Sequence, residues 1–217
     1  MFDFSNARDH MVESQIRTSD VTDVPVLAAF RRVKREAFVP NAKVALAYGD
    51  SHITLDDGRV MLRPRDLAKM VQAAEIEPTD IVLDLACARG YSTAILSHLA
   101  DTVVGVETSE EAVARATELL VESNVVNAAV VQGHLKSGAA EHGPFNVIIF
   151  NGAVHEVPKA WVDQLANDGR LVTIVQKGPI GHATLFQKSG DVLGERILFD
   201  TSAPYLPGFA PEPAFTF

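Results

Sequence analysis

The sequence has little cysteine and no surplus of positive charge, and each shortage removes a class of protein. Cys87 is the single cysteine in 217 residues, so no internal disulfide and no cysteine-rich zinc site can form. Lys and Arg number 19 against 28 Asp and Glu, a formal net charge of −9, which argues against binding nucleic acid by neutralising phosphates. No block of like charges, no internal repeat and no low-complexity tract is present. No apolar run approaches the length of a membrane-spanning helix. The opening stretch carries Asp3, Arg8, Asp9, His10 and Glu13, unlike a secretory signal, so a cytoplasmic protein without membrane or nucleic-acid partners is expected.

What remains is an ordinary globular composition, 47% hydrophobic and 22% charged. The first sixty or so residues have interrupted helical spacing, with Met11 and Ile16, then Val21, Val24, Leu27, Phe30 and Val33. Thr22-Asp23 ahead of Val24-Pro25 predicts a helix start, with the helix ending near Lys34. Ala37-Phe38-Val39-Pro40 reads as extended chain before proline, and Asp56-Asp57-Gly58 as a turn. Pro64 opens a further helix running from Arg65 to Glu75.

From residue 79 onward strands and helices alternate. Ile81–Leu85, Thr102–Val106, Ala128–Val131, Phe145–Phe150 and Leu171–Val175 read as strands. Tyr91–Leu99 and Ser109–Ser123 read as helices, and Trp161–Leu165 lies in another. Continuous apolar strands between helices imply a parallel sheet covered on both faces. Ala183–Lys188 and Val192–Phe199, joined through Ser189-Gly190-Asp191, predict a closing antiparallel hairpin. The stretch from Ala203 to Pro213 contains four prolines and is expected to be irregular.

Ligands of such sheets bind beyond the carboxyl ends of the strands, where strand order reverses. The first strand runs into Asp84-Leu85-Ala86-Cys87-Ala88-Arg89-Gly90-Tyr91, and the helix after it offers free backbone N–H groups. The second strand ends at Glu107, well placed to accept hydrogen bonds from a ribose. Gly133, His134 and Leu135 follow the third strand and Asn151-Gly152-Ala153 the fourth, so both loops should open on the same edge. A nucleoside cofactor cleft is one reading. A plain strand–turn–helix capped by Asp84, with Glu107 and His134 solvated, is the other.

On these residues and others the chain resembles bacterial protein-L-isoaspartate (D-aspartate) O-methyltransferases over nearly its whole length. The matching stretches are Met11–Ile16, Val26–Phe30, Arg35–Pro40, Ala47–Asp50, Phe145–Ile149, Gly152-Ala153, Val157-Pro158, Gln164-Leu165 and Gly169–Val172. The ending Leu206-Pro207-Gly208-Phe209 is similar to a proteobacterial branch. The resemblance implies an α/β class I methyltransferase fold, Rossmann-like, with a mostly parallel seven-stranded sheet, a C-terminal hairpin and an N-terminal helical region. It divides the chain into a cap and substrate-side segment, 1–64, and a core, 65–217. It implies S-adenosylmethionine as cofactor and an isoaspartyl carboxylate of a damaged protein or peptide as acceptor. The cofactor residues it marks are Asp84, Ala86, Ala88, Arg89, Gly90, Tyr91, Glu107, Thr108, Gly133, His134, Leu135 and Asn151. Arg89 is an added cation in a loop where an anion is expected, so it either pairs with the methionine carboxylate or points to solvent.

Three departures bear on that reading. Leu62, within Val60-Met61-Leu62-Arg63-Pro64, stands where the family carries a serine near the transferred methyl, which predicts weak activity on isoaspartyl peptides. Ala86 and Ala88 replace glycines, at a cost of about 1–2 kcal/mol wherever φ is positive. His134 replaces an aspartate expected near the adenine. Besides an active methyltransferase with this or another acceptor, the sequence admits a methyltransferase-fold binding module and a nicotinamide-binding oxidoreductase. The last lacks the three-glycine fingerprint.

Overall fold

A computed structural model describes residues 3–55 and 58–211. The expected turn at Asp56-Asp57-Gly58 therefore lies partly, and the tail beyond Pro211 wholly, outside the described residues.

Seven strands form the main sheet: β3 (Ile81–Leu85), β4 (Thr102–Glu107), β5 (Ala128–Gln132), β6 (Phe145–Val154), β7 (Leu165–Gln176), β8 (Gly181–Ser189) and β9 (Val192–Asp200). Their order is β5-β4-β3-β6-β7-β8-β9. The first five in chain order are parallel, while β8 runs antiparallel to β7 and β9 antiparallel to β8. Strand order reverses at β3, so the crevice lies beyond its carboxyl end, between the ends of β4 and β6. The predicted architecture is the observed one.

The N-terminal region wraps one face of this sheet. Helix α1 (Phe4–Met11) passes through one π turn into a 3₁₀ turn, and α2 (Val24–Arg32) follows. Asp23 caps α2 through the Val26 N–H at 2.9 Å, with proline in the first turn, as the sequence predicts. The helix ends at Arg32 rather than Lys34, and residues 35–38 form a 3₁₀ turn, so the extended chain is confined to Val39 and Pro40. A two-stranded ribbon, β1 (Ile53–Thr54) and β2 (Val60–Met61), follows where only a turn was expected. Helix α3 (Pro64–Ala73), α4 (Tyr91–Leu96) and α5 (Glu110–Glu122) complete this layer.

The cap and the sheet share one core. Met11, Ile16, Phe30, Phe38, Met70 and Ile95 pack with Val82, Val103 and Val147. The opposite face is closed by Trp161 of α6 (Lys159–Asp163), Phe150 and Phe209, with ring centroids 4.8 to 5.6 Å apart. Trp161 satisfies its buried indole N–H on the Leu135 carbonyl at 2.7 Å. The expected helix at Trp161–Leu165 sits two residues earlier, because Leu165 already begins β7. The tail from Ala203 follows the carboxyl end of β6, pairing Tyr205 with Ala153. Among the described residues no helix is long and apolar enough to cross a membrane.

Candidate functional site

Asp84, near the carboxyl end of β3, is wholly buried. Its Oδ2 accepts from Ser92 Oγ at 2.7 Å and Thr93 Oγ1 at 2.6 Å, and its Oδ1 from Asn151 Nδ2 at 2.7 Å. Burial pushes its carboxyl up to about 6, against the pull of those three donors. The loop after it retains the backbone path of a glycine loop. Ala86 has φ 58° and Ala88 φ 54°, both left-handed. Gly90 has φ 87°, and a Cβ there would also meet Leu120 Cγ at 3.3 Å, so this position holds to glycine.

The two alanines are therefore strained where they stand. The Ala86→Gly, Ala88→Gly double variant should gain on the order of 1 kcal/mol, strain relief of about 1–2 per residue being offset by the extra freedom of glycine when unfolded. Chemical denaturation measures it. A double variant less stable than the parent would mean the alanines adopt some other backbone conformation.

Glu107 ends β4 with its side chain at 0% exposure. One oxygen accepts from the Ala88 N–H and from Arg59 Nη1, the latter at 2.9 Å, and the other from the Thr108 N–H at 3.2 Å. Arg59, on the ribbon, escaped the sequence reading altogether, because it is 48 residues away in a polar turn. Gly133 ties β5 to this point through its N–H on the Glu107 carbonyl at 2.8 Å. His134 is exposed and Leu135 buried at the start of a 3₁₀ turn on the same edge.

Two predicted placements change. Asn151, Gly152 and Ala153 do not form a loop. They belong to β6, which runs on past a register shift beginning at Ile149. Asn151 still faces the site, because both Nδ2 hydrogens are used inward, on Asp84 and on the Leu85 carbonyl at 3.1 Å. The helix expected at Tyr91–Leu99 has only six residues, and the nearby Ala88 N–H is already spent on Glu107. Arg89 donates from Nε to the Phe38 carbonyl at 2.8 Å, which anchors it to the cap. Tyr91 is buried, its ring 4.7 Å from the guanidinium carbon of Arg35. Fully buried Arg35 holds the Ala47 and Leu62 carbonyls, both at 2.8 Å, and so fixes the chain leaving the ribbon.

Two cavities flank the loop, both lined by Ala88 and Arg89. The larger, of about 370 Å³, is lined by Leu55, Arg59, Ala88, Arg89, Thr108 and Glu111 among others. The smaller, of about 20 Å³, lies between Met61 of the ribbon with the adjoining Leu62 and the residues Ala86, Tyr91, Ser92 and Asn151.

A mostly parallel seven-stranded sheet with this strand order and a closing antiparallel hairpin, a left-handed loop after its central strand and a buried acid ending the next strand define a class I methyltransferase fold. The chain matches the family model "Protein-L-isoaspartate(D-aspartate) O-methyltransferase (PCMT)" over residues 6–202 and belongs to that family. A protein-L-isoaspartate O-methyltransferase of Methanoculleus marisnigri is 36% identical over 168 residues, covering 77% of this chain and 76% of that protein. One from a Roseiflexus species is 32% identical over 209 residues, covering 96% and 95%. Among solved structures, a protein-L-isoaspartate O-methyltransferase superposes with TM-score 0.82 at 24% identity, over 93% of this chain and 66% of that one. A Plasmodium falciparum protein in complex with S-adenosyl-L-homocysteine, described as a putative member, superposes with TM-score 0.75 at 16% identity, over 94% and 97%.

Proposed function

We propose that the chain transfers the methyl group of S-adenosylmethionine to the side-chain carboxylate of an isoaspartyl residue in a damaged protein or peptide. Family membership supports this reading, and the observation in the site that carries it is Glu107, a buried acid beside a loop of left-handed residues.

The residues present fit the adenosyl part of the cofactor. Glu107 offers carboxylate oxygens to a ribose diol, and Gly133, His134 and Leu135 lie on the edge where the base would sit. Asn151 Oδ1 would receive the ammonium of the amino-acid arm, since its Nδ2 is committed to Asp84 and Leu85. Space is the constraint. A cavity of about 20 Å³ cannot hold that arm, so Met61 and Leu62 must shift when it binds.

The bound cofactor would supply an electrophilic methyl on a sulfonium. The acceptor carboxylate is already a nucleophile at neutral pH, so the protein has to position and desolvate it rather than deprotonate it. The apolar side chains of Met61 and Leu62 exclude water from the place where the two reactants would meet. We assign the cap, residues 1–64, to the acceptor side, since the ribbon and Arg35 hold that wall of the small cavity.

Incubation with S-adenosylmethionine and an isoaspartyl peptide should give a base-labile methyl ester, and the ordinary aspartyl peptide should give none. Because Leu62 brings no hydroxyl, turnover below about 1 per second is expected. Leu62→Ser should raise the rate while lowering stability by about 2–4 kcal/mol, the cost of removing a buried leucine side chain. Equal labelling of both peptides would overturn the acceptor assignment.

A further inference from the structure

We infer that Arg59 sets the cofactor affinity of this chain by holding the Glu107 carboxylate that the ribose has to take over. The inference rests on the cofactor reading above and adds a residue to that site. It follows from counting acceptors. A carboxylate offers about four lone-pair directions. In this fold three are taken: by Arg59 Nη1, by the Ala88 N–H and by the Thr108 N–H. A ribose diol needs two, so one donor must leave.

The two backbone amides are fixed. Thr108 directly follows β4, and Ala88 sits in the left-handed loop, whose Ala86 and Gly90 amides are bonded to the Val106 and Cys87 carbonyls. Arg59 is held differently. It reaches Glu107 from outside the main sheet, on a long side chain, and its ribbon strands are two residues each. It has somewhere to go, since the cavity of about 370 Å³ lies beside it and carries the Glu111 carboxylate on its wall. The next two residues along the chain, Val60 and Met61, border the small cavity, as Leu62 does. A shift of Arg59 away from Glu107 therefore acts on the same segment that fills the space for the amino-acid arm.

The pair is well shielded, Arg59 being 15% exposed and Glu107 0%, so it is a substantial competitor rather than a screened surface contact. Removing the guanidinium should tighten binding of the reaction product S-adenosylhomocysteine, which carries no sulfonium charge.

Calorimetric titration of wild type, Arg59→Gln and Arg59→Lys with S-adenosylhomocysteine tests this, with thermal unfolding of each protein with and without ligand. Arg59→Gln is expected to bind about tenfold more tightly, equivalent to 1.4 kcal/mol. Arg59→Lys keeps a charge near Glu107, guards against loss of the fold, and should fall between. A residue that merely braces the ribbon would lower the melting temperature without tightening binding. If wild type and variants all bind and neither variant binds more tightly, the inference about Arg59 falls while the cofactor reading stands. If none binds, the cofactor reading falls and takes the inference with it.

Discussion

Glu107→Ala should lower the stability of the folded chain by about 3 kcal/mol and also weaken S-adenosylhomocysteine binding at least a hundredfold. The stability loss has a definite source. Breaking a buried ion pair by deleting one partner costs about 3–5 kcal/mol, because the other charge stays behind in a poor solvent. Arg59 keeps some contact with water, which places the loss at the low end of that range. For a chain of this size the melting temperature would fall by roughly 6–12 °C. The binding loss is separate. Hydrogen bonds to a charged group are worth about 1.5–3 kcal/mol each, so two ribose hydroxyls deprived of their acceptor lose at least about 3 kcal/mol. Glu107→Gln keeps the shape and one acceptor oxygen and should lose less on both measures. Calorimetry together with thermal unfolding reads the two effects independently. Undiminished ligand affinity in a folded Glu107→Ala protein would show that no ribose rests there.

What the sequence could reveal divides along a physical line. The sheet was legible because each strand is a short apolar run bounded by turn residues, and burial on both faces of a parallel sheet demands that pattern. Asp84 and Glu107 were legible for the same reason, as polar residues where an apolar run stops. Strand-end position also marked Gly133, Leu135 and Asn151. The extent of β6 was not legible, because an irregularity in its pairing with β7 lets the strand absorb Asn151, Gly152 and Ala153, and their composition alone suggests a loop.

The ribbon shows the opposite limit. With two residues per strand it carries no periodicity to detect, and its fold depends on contacts with distant segments. Arg35 and Arg59 were missed accordingly. The hydrogen bonds to Ala47, Leu62 and Glu107 span 12 to 48 residues, and a guanidinium in a polar stretch normally reads as a solvated side chain. The positive φ at Ala86 and Ala88 could be anticipated only through the family resemblance, since alanine by itself favours ordinary helical or extended backbone. Local pattern thus reports the scaffold and the strand-end acids. The groups that close over them come from the cap, through contacts no local pattern encodes.

Asp84 carries the last large expectation. Its carboxyl titrates at about 6 in the folded chain, against an ordinary value of 3.8. Desolvation raises it, so over the window between those values the folded state holds a proton that the unfolded state has lost. Stability from this group is therefore present at low pH and declines as pH rises through about 4 to 6, by about 3 kcal/mol in all. Asp84→Asn has no charge to bury. Its stability relative to wild type should therefore shift in its favour by about 3 kcal/mol between pH 4 and pH 7, the change growing across that window. Denaturant titrations at several pH values read the difference directly, and a constant gap from pH 4 to 7 would place the titration elsewhere. The gain should come with a loss of methyl transfer. Only the carboxylate accepts from Ser92, Thr93 and Asn151 together, whereas an amide in its place brings hydrogens of its own and turns one or more of those donors away. Asn151 Oδ1 would then no longer be held toward the small cavity. A buried charge that weakens the fold yet orients three side chains around a binding cleft is the balance expected of a working site rather than of a packing residue.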